Sequence, residues 1–217
     1  MSIGTATPNQ HDGTQPDVSD EGFVFVGQAL ALDLVNTEVV IRGRPRDLLE
    51  REDDVWRWWE TAQRHHETLP LLAVHGDTAI HGATTHTAVL TLRGALRRLF
   101  SQLADGERPA DDDLAALNAA MRQAAPAVRI NDRGSPEQMY EISASPVHPL
   151  VVTVALAARS LLTTSDLQRL HRCGNARCIL LFYDTTKSAT RRWCSLGCMD
   201  RARSLRRYNE AKQARQP

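Results

Sequence analysis

The sequence has 217 residues and 42% hydrophobic content, which is enough to bury a sizeable core and excludes a wholly disordered chain. The 26 basic and 26 acidic residues balance, but residues 1–165 hold 14 basic and 22 acidic residues whereas residues 166–217 hold 12 and 4. This asymmetry indicates an acidic body followed by a basic module.

The N-terminal residues predict neither export nor membrane insertion. No run of 18 apolar residues occurs, so we expect no membrane-spanning helix. Residues 1–22 lack the basic start and apolar stretch of a signal peptide, and their polar composition predicts a disordered leader. We therefore expect a cytoplasmic protein, in which the reducing environment disfavours disulfides.

The body is predicted over residues 23–165 as a mainly α domain with a small β-hairpin. A short apolar strand at 23–26 precedes a helix from about residue 28, which we expect to break at 42–45. Asp53 or Asp54 caps a second helix. Its apolar stripe, which we interpret as core packing rather than base stacking, consists of Val55, Trp58 and Trp59, with Trp56 at the edge. Residues 69–86 are ambiguous between loop and helix.

The second half of the body gives clearer patterns. A strongly amphipathic helix starts near Thr85, and its apolar positions are Val89, Leu92, Leu96, Leu99, Phe100 and Leu103. The acidic cluster 111–113 predicts the start of another helix, which Pro126 ends. Segments 128–130 and 139–143 predict the hairpin. A buried helix and a second one capped at Ser165 or Asp166 then lead to the cysteines.

All four cysteines lie within 26 residues. They form two close pairs separated by fifteen residues, Cys173 with Cys178 and Cys194 with Cys198. Paired cysteines at this spacing are typical of a structural zinc site, because two tight turns can present four thiolates to one tetrahedral ion. Four protein ligands leave no open position for water, so we predict one structural Zn²⁺ rather than a catalytic one. Two disulfides, ordinary buried thiols and an iron–sulfur cluster are the alternatives.

The residues around the cysteines have their own predicted conformations. Gly174 and Asn175 in the first pair are residue types that tolerate positive φ, which a chain turning around a metal often needs. Residues 179–193 predict a strand, a polar turn and a return strand. Trp193 is expected to cover the metal site, and a helix is expected to start near the second pair.

The C-terminal stretch predicts a basic helix, because it is rich in Arg, Ala, Leu, Gln and Lys. Arg203, Arg206 and Arg207 share one face of it, with Leu205 and Tyr208 opposite. Guanidinium groups in such a row suit phosphate contacts. The candidate nucleic-acid-binding residues are Arg191, Arg192, Arg201, Arg203, Arg206 and Arg207. The alternative is a solvated helix that closes the zinc module and pairs with the acidic body.

With these motifs in hand, the chain resembles the CGNR zinc-finger family, whose N-terminal part is the ABATE domain. The resemblance is carried by "LALDLVNT" at 30–37 and by the pattern from Cys173 to Arg201, which includes "LFYDTTKSATRRWCS". It implies a helical 23–165 domain and a 166–217 zinc finger of treble-clef type, with the four cysteines as ligands. Where the family has Cys-Gly-Asn-Arg, this chain has Cys198-Met199-Asp200-Arg201.

The resemblance also implies a transcriptional regulator that contacts DNA. It implies that the body senses a small-molecule or protein signal, with Asp33 and Asn36 as candidate contacts; packing roles are the alternative for both residues. A zinc-stabilised protein-interaction module without nucleic-acid binding is the second functional hypothesis. An enzyme is the third and is not favoured, because the common phosphate-binding, nucleophile and metalloprotease motifs are missing from the sequence.

Overall fold

The computed structural model describes residues 17–18, 22–26, 29–75, 82–142 and 148–213. Within these ranges the helices are α1 (Leu30–Val35), α2 (Glu52–His65), α3 (Ala83–Ala104), α4 (Asp111–Met121), α5 (Pro149–Thr164) and α6 (Leu196–Gln213). The strands are β1 (Asp17–Val18), β2 (Val24–Phe25), β3 (Glu38–Ile41), β4 (Arg44–Asp47), β5 (Leu72–Val74), β6 (Ala124–Ile130), β7 (Pro136–Ile142), β8 (Leu170–Arg172) and β9 (Leu181–Tyr183).

The strands form small sheets around the helices. Pairs β1–β2, β3–β4 and β8–β9 are antiparallel, and the third sheet has the order β5–β7–β6, with β5 parallel to β7. The protein is therefore helical with several small sheets, which is more strand than the one hairpin we predicted. We refer to residues 167–213 as the finger and to the described residues before them as the body.

The core of the body surrounds α1. Every residue of α1 is buried, and α3 and α5 pack against it. Trp58 is fully buried in the same core, and Trp56 and Trp59 pack at its edge. The packing interpretation of the tryptophan stripe is confirmed.

The first helix is shorter than predicted. It ends at Val35, and the chain continues into the β3–β4 hairpin, whose turn has positive φ at Arg42 (51°) and Gly43 (77°). Two consecutive positive φ angles give the turn that suits the twist of a two-residue hairpin. The Arg-Gly pair that we took as a helix break is therefore a hairpin turn, and the β-branched residues before it form a strand.

Two arginines of α3 attach this hairpin to the body. The buried Arg93 donates to both carboxylate oxygens of Asp47 at 2.6 Å and to Thr37 Oγ1 at 2.9 Å. Although burial raises the pKa of Asp47, the hydrogen bonds from Arg93 and from the Leu49 amide leave it below its usual range. Arg97 donates to the Val35 carbonyl and pairs with Glu38.

Other elements confirm or revise the predictions. Helix α4 begins at the acidic cluster and ends at Met121, so Pro126 lies in β6 rather than ending the helix. The predicted hairpin is present as β6–β7 and is longer than expected. Strand β5 lies in the ambiguous segment. A single 3-10 turn at Leu167–Arg169, capped by Asp166, replaces the helix expected before the cysteines. Most of the predicted leader lies outside the described residues, although 17–18 form β1.

Candidate metal centre and basic helix

The first cysteine pair lies in the loop that joins β8 to β9. The Cys173 N–H donates to the Leu180 carbonyl at 2.9 Å, which continues the hairpin ladder by one residue. The loop then closes on Asn175, whose backbone carbonyl accepts from Cys178 N–H at 2.8 Å and whose Oδ1 accepts from Arg177 N–H at 3.0 Å. These bonds bring both sulfurs to the same end of the hairpin.

Gly174 is needed here for a reason that the sequence did not indicate. Its φ is not among the positive values, so the conformational explanation is wrong for this position. Instead its N–H donates to the Arg192 carbonyl at 2.7 Å, and a Cβ at Gly174 would lie 2.9 Å from that oxygen. The small residue allows the loop before the second cysteine pair to approach the first pair.

The segment between the pairs is a loop organised by Asp184, not a strand and a return strand as predicted. Strand β9 pairs with β8, and the residues after Tyr183 form no strand before α6. The buried Asp184 carboxylate accepts from Thr186 N–H and Oγ1 at 2.8 and 2.6 Å and from Arg191 N–H at 2.8 Å. Burial raises the pKa of Asp184, but these hydrogen bonds outweigh burial and hold it below its usual range. The aspartate followed by two threonines was the available sequence signal.

Arg191 supports the loop from inside. Its guanidinium lies 4.9 Å from the Phe182 ring centroid, and it donates to the carbonyls of Trp193 and Cys194. Trp193 packs against the apolar cluster that contains three of the cysteines, which confirms its predicted place beside the metal site. Arg191 is therefore part of the internal structure of the finger.

The four sulfurs converge on one point. Cys194 precedes α6 and Cys198 lies in its first turn, so the helix start carries the second pair. All four Sγ atoms lie within 4.8 Å of one another, with Cys178 and Cys194 at 3.8 Å and Cys194 and Cys198 at 3.5 Å. A tetrahedral zinc with Zn–S bonds of about 2.3 Å requires sulfur separations of about 3.8 Å. The four free thiols therefore fit one structural Zn²⁺.

The surroundings of the Cys198 sulfur favour its thiolate form. Hydrogen bonds from Cys173, Cys178 and Cys194 lower the pKa of Cys198, and the Arg201 guanidinium, which donates to Cys198 Sγ at 3.1 Å, lowers it further. Zinc binds the thiolate form, so a cation beside the ligands assists metal binding. This places Arg201 against the metal centre.

Asn36 fastens the finger to the body. Its Nδ2 donates to the Leu181 carbonyl at 2.8 Å, and its Oδ1 accepts from Leu181 N–H at 3.0 Å. A side-chain amide thus pairs with the free edge of β9 as a neighbouring strand would. Two arginines add contacts between the parts, since Arg97 donates to the Ile179 carbonyl at 3.2 Å and Arg172 donates to Asp105 at 2.9 Å.

Asp33 lies one turn before Asn36 and is also completely buried. Its Oδ1 accepts from Val26 N–H at 3.0 Å, and its Oδ2 lies 2.7 Å from His66 Nε2. Burial raises the pKa of Asp33 despite the opposing effect of His66. Both residues proposed as signal contacts therefore have their polar atoms bonded within the protein, and a role in sensing stays a prediction.

The arginines predicted to bind nucleic acid separate into two groups. Arg191 and Arg201 make hydrogen bonds within the finger, as described above, although Arg201 is exposed. Arg192 is exposed beside the Trp193 ring, and three others project from α6 into solvent: Arg203, Arg206 and Arg207. Arg206 pairs with Glu210 at 2.8 Å on the same helix.

A four-cysteine centre on a β-hairpin and a helix start, attached to a helical body, defines a zinc-finger protein. Two family models match the chain in the same arrangement. Residues 28–165 match the ABATE family, described as "Putative stress-induced transcription regulator", and residues 169–211 match the CGNR zinc finger. The chain therefore belongs to the ABATE family with a C-terminal CGNR zinc finger. No curated protein matches the sequence significantly.

Among the described residues, the four cysteines form the one group of His, Cys, Asp or Glu side chains arranged to hold a metal ion. No helix in the described ranges is long and apolar enough to cross a bilayer.

Proposed function

We propose that this protein is a cytoplasmic, non-enzymatic regulator that binds DNA through α6, with the zinc ion fixing the start of that helix. The finger is proposed to be of treble-clef type, built from the β8–β9 hairpin and α6, with one cysteine pair in the hairpin loop and the other at the start of the helix. In this arrangement the metal orients a helix that has little packing of its own. The body and finger are proposed to divide the chain near residue 165.

The observation that carries the proposal is the exposure of α6. Cys198 is the one buried residue among the 18 residues of the helix, all of which are described. Helices in proteins take most of their stability from tertiary packing, which α6 largely lacks. The helix contains five basic and two acidic residues, so it carries a net positive charge and extends away from the sulfur cluster. A phosphate backbone would supply both the opposite charge and the missing contacts.

The test is the salt dependence of duplex DNA binding by the zinc-loaded full-length protein. Affinity is measured by fluorescence anisotropy between about 50 and 300 mM salt, where each neutralised phosphate contributes a slope of about −0.9. The triple change Arg203→Ala, Arg206→Ala and Arg207→Ala is expected to reduce the slope by roughly 2.7 and to weaken binding to all sequences alike.

A matched control removes three exposed arginines of the body: Arg108, Arg122 and Arg133. It changes the net charge by the same amount, so an effect specific to α6 must appear in the first variant and not in the second. Zinc content is measured on both. Absence of DNA binding at the lowest salt, or equal losses in the two variants, overturns the proposal.

A protein partner for α6 is the second candidate, because the helix also exposes apolar side chains. Tyr208 is 66% exposed and Leu196 is 41% exposed. If α6 contacts protein, the double change Leu196→Ser and Tyr208→Ser should abolish protein–protein association in sedimentation experiments. The triple arginine change described above should have little effect on that association. A protein partner could bury these apolar side chains, whereas a phosphate backbone would leave them in water.

A further inference from the structure

A cleft of about 700 Å³ opens in the body, away from the sulfur cluster. Its walls come from the start of α1, the segment after α2, strand β7 and helix α5. Leu69, Leu156 and Leu161 supply apolar lining. The volume lies within the range of sites that bind small organic molecules.

His66 lines this cleft as a fixed polar group. Its Nε2 is held at 2.7 Å by Asp33, which is itself completely buried and anchored by Val26 N–H. The Phe25 ring meets the imidazole edge to face at 6.4 Å. Burying a carboxylate is costly, and here the carboxylate orients one imidazole at a cavity wall. Because Nε2 is occupied, Nδ1 is the ring nitrogen left for a ligand, and it has no hydrogen bond to the described part of the chain.

A second polar group in the lining is built on Tyr140. Its hydroxyl oxygen accepts from Gln138 Nε2 at 2.9 Å and from Arg159 Nη1 at 3.0 Å. A hydroxyl that accepts twice still has its own proton to donate. Arg159 has further N–H donors and forms no ion pair with a carboxylate in the described ranges. The Tyr140 and Arg159 pair therefore offers donors and a positive charge to the cleft.

The acidic residue of the lining does not cancel this charge. Glu137 pairs with Arg129 at 2.9 Å and accepts from Asn131 at 2.7 Å. Hydrogen bonds from Asn131 and Arg129 lower the pKa of Glu137, so it is ionised and already compensated. Arg159 remains as the uncompensated charge of the lining.

We propose that this cleft binds a small organic carboxylate that also has a hydrocarbon portion. Arg159 and the Tyr140 hydroxyl would hold the carboxylate, and the leucines would pack on the hydrocarbon portion. His66 would form a hydrogen bond with a further polar group of the ligand. Charge-assisted hydrogen bonds to a guanidinium favour the anion over a neutral analogue of the same shape. The proposal does not depend on whether α6 binds DNA.

The experiment titrates the full-length zinc-loaded protein with benzoate and hexanoate, and with benzamide and hexanamide as uncharged counterparts. Histidine-labelled NMR follows the His66 ring signals, and calorimetry gives the affinity. At about 10 mM ligand, a site with a dissociation constant of about 1 mM is nearly saturated. We expect at least one carboxylate to shift the His66 signals saturably, and its amide to bind at least tenfold more weakly.

Variants locate the site. Arg159→Ala is expected to weaken carboxylate binding at least tenfold without changing the melting temperature, because Arg159 is exposed. Arg122→Ala, which removes an exposed arginine outside the lining, is expected to bind as the wild type does. The proposal is overturned if neither carboxylate shifts the His66 signals, if the amides bind equally well, or if Arg159→Ala has no effect.

Discussion

The body and the finger keep their conformations by different means. The body has a continuous apolar core around α1, with large side chains such as Trp58 and Phe100 completely buried. The finger buries few apolar side chains: Leu170 and Leu181 pack into the core of the body, and the cluster beside the metal centre consists largely of three cysteines with Leu180 and Phe182. The body can therefore fold by burying surface, whereas the finger depends on four sulfur ligands and a set of backbone hydrogen bonds.

Removal of zinc is expected to have the largest effect and to separate the two parts. Structural zinc supplies about 10 to 16 kcal/mol to small modules, so Cys194→Ser or strong chelation should unfold the finger. The body should keep its helical circular dichroism and a cooperative melting transition. The control is Leu196→Ser, which changes an exposed residue and should retain one zinc. Unfolding of the body together with the finger would contradict the view that the two parts are stabilised separately.

The converse change is made in the core of the body. Phe100→Ala removes a fully buried ring and is expected to cost about 3 to 5 kcal/mol in the free energy of unfolding. Denaturant titration measures this loss, and zinc content should stay at one equivalent under native conditions. If Phe100→Ala also lost its zinc at a low concentration of denaturant, the finger would be unable to hold its metal without the folded body.

The contact between the parts is tested by Asn36→Ala. The change removes two hydrogen bonds and leaves the Leu181 N–H and carbonyl without partners, which is worth about 2 to 4 kcal/mol. We expect one melting transition to become two, detected by calorimetry. Asn118→Ala, at an exposed position of α4, should leave a single transition. A single unchanged transition in both variants would show that Asn36 does not couple the parts.

Two glycines of the finger give a paired and smaller effect. Gly174→Ala places a Cβ 2.9 Å from the Arg192 carbonyl, so we expect a loss of about 1 to 3 kcal/mol and weaker zinc retention against a chelator. Gly197→Ala meets nothing closer than 3.9 Å and lies in α6, so it should stabilise the finger by up to about 1 kcal/mol. A change in stability of the same sign in both variants would refute the steric argument.

Low pH should lower the stability of the body by protonating Asp47. Its pKa is lowered in the folded state, so its pairing with Arg93 contributes stability that is present above about pH 4 and is lost as the pH falls through the folded pKa. In Asp47→Asn this part of the pH dependence should be missing from melting temperatures measured between pH 3 and pH 6 in the same buffers. An unchanged dependence would mean that other groups produce it.

Local chemistry made the metal centre predictable. Four thiols in two close pairs can meet one ion whatever the rest of the fold, so Cys173 and its partners were found from spacing. The amphipathic pattern of α3 was equally clear, because its core side follows the helical repeat. The β3–β4 hairpin was missed because apolar residues continue from α1 into β3, so the helical pattern masked the Arg42-Gly43 turn.

The contacts between distant segments were not predictable. Asn36 and Leu181 are separated by 145 residues, and nothing in either segment indicates the other. Gly174 was assigned to backbone freedom because the approach of the Arg192 carbonyl depends on a loop folded by Asp184. In each case the decisive atom belongs to a remote part of the chain. Composition and periodicity describe only neighbours in sequence.

Helix α1 has a mechanical consequence beyond its place in the core. Asp33 faces His66 in the cleft wall, and Asn36, three residues later, faces the edge of β9 in the finger. The helix has only six residues and all of them are buried, so neither side chain can shift without its packing neighbours. One short helix therefore supports both the wall of the cleft and the attachment of the finger.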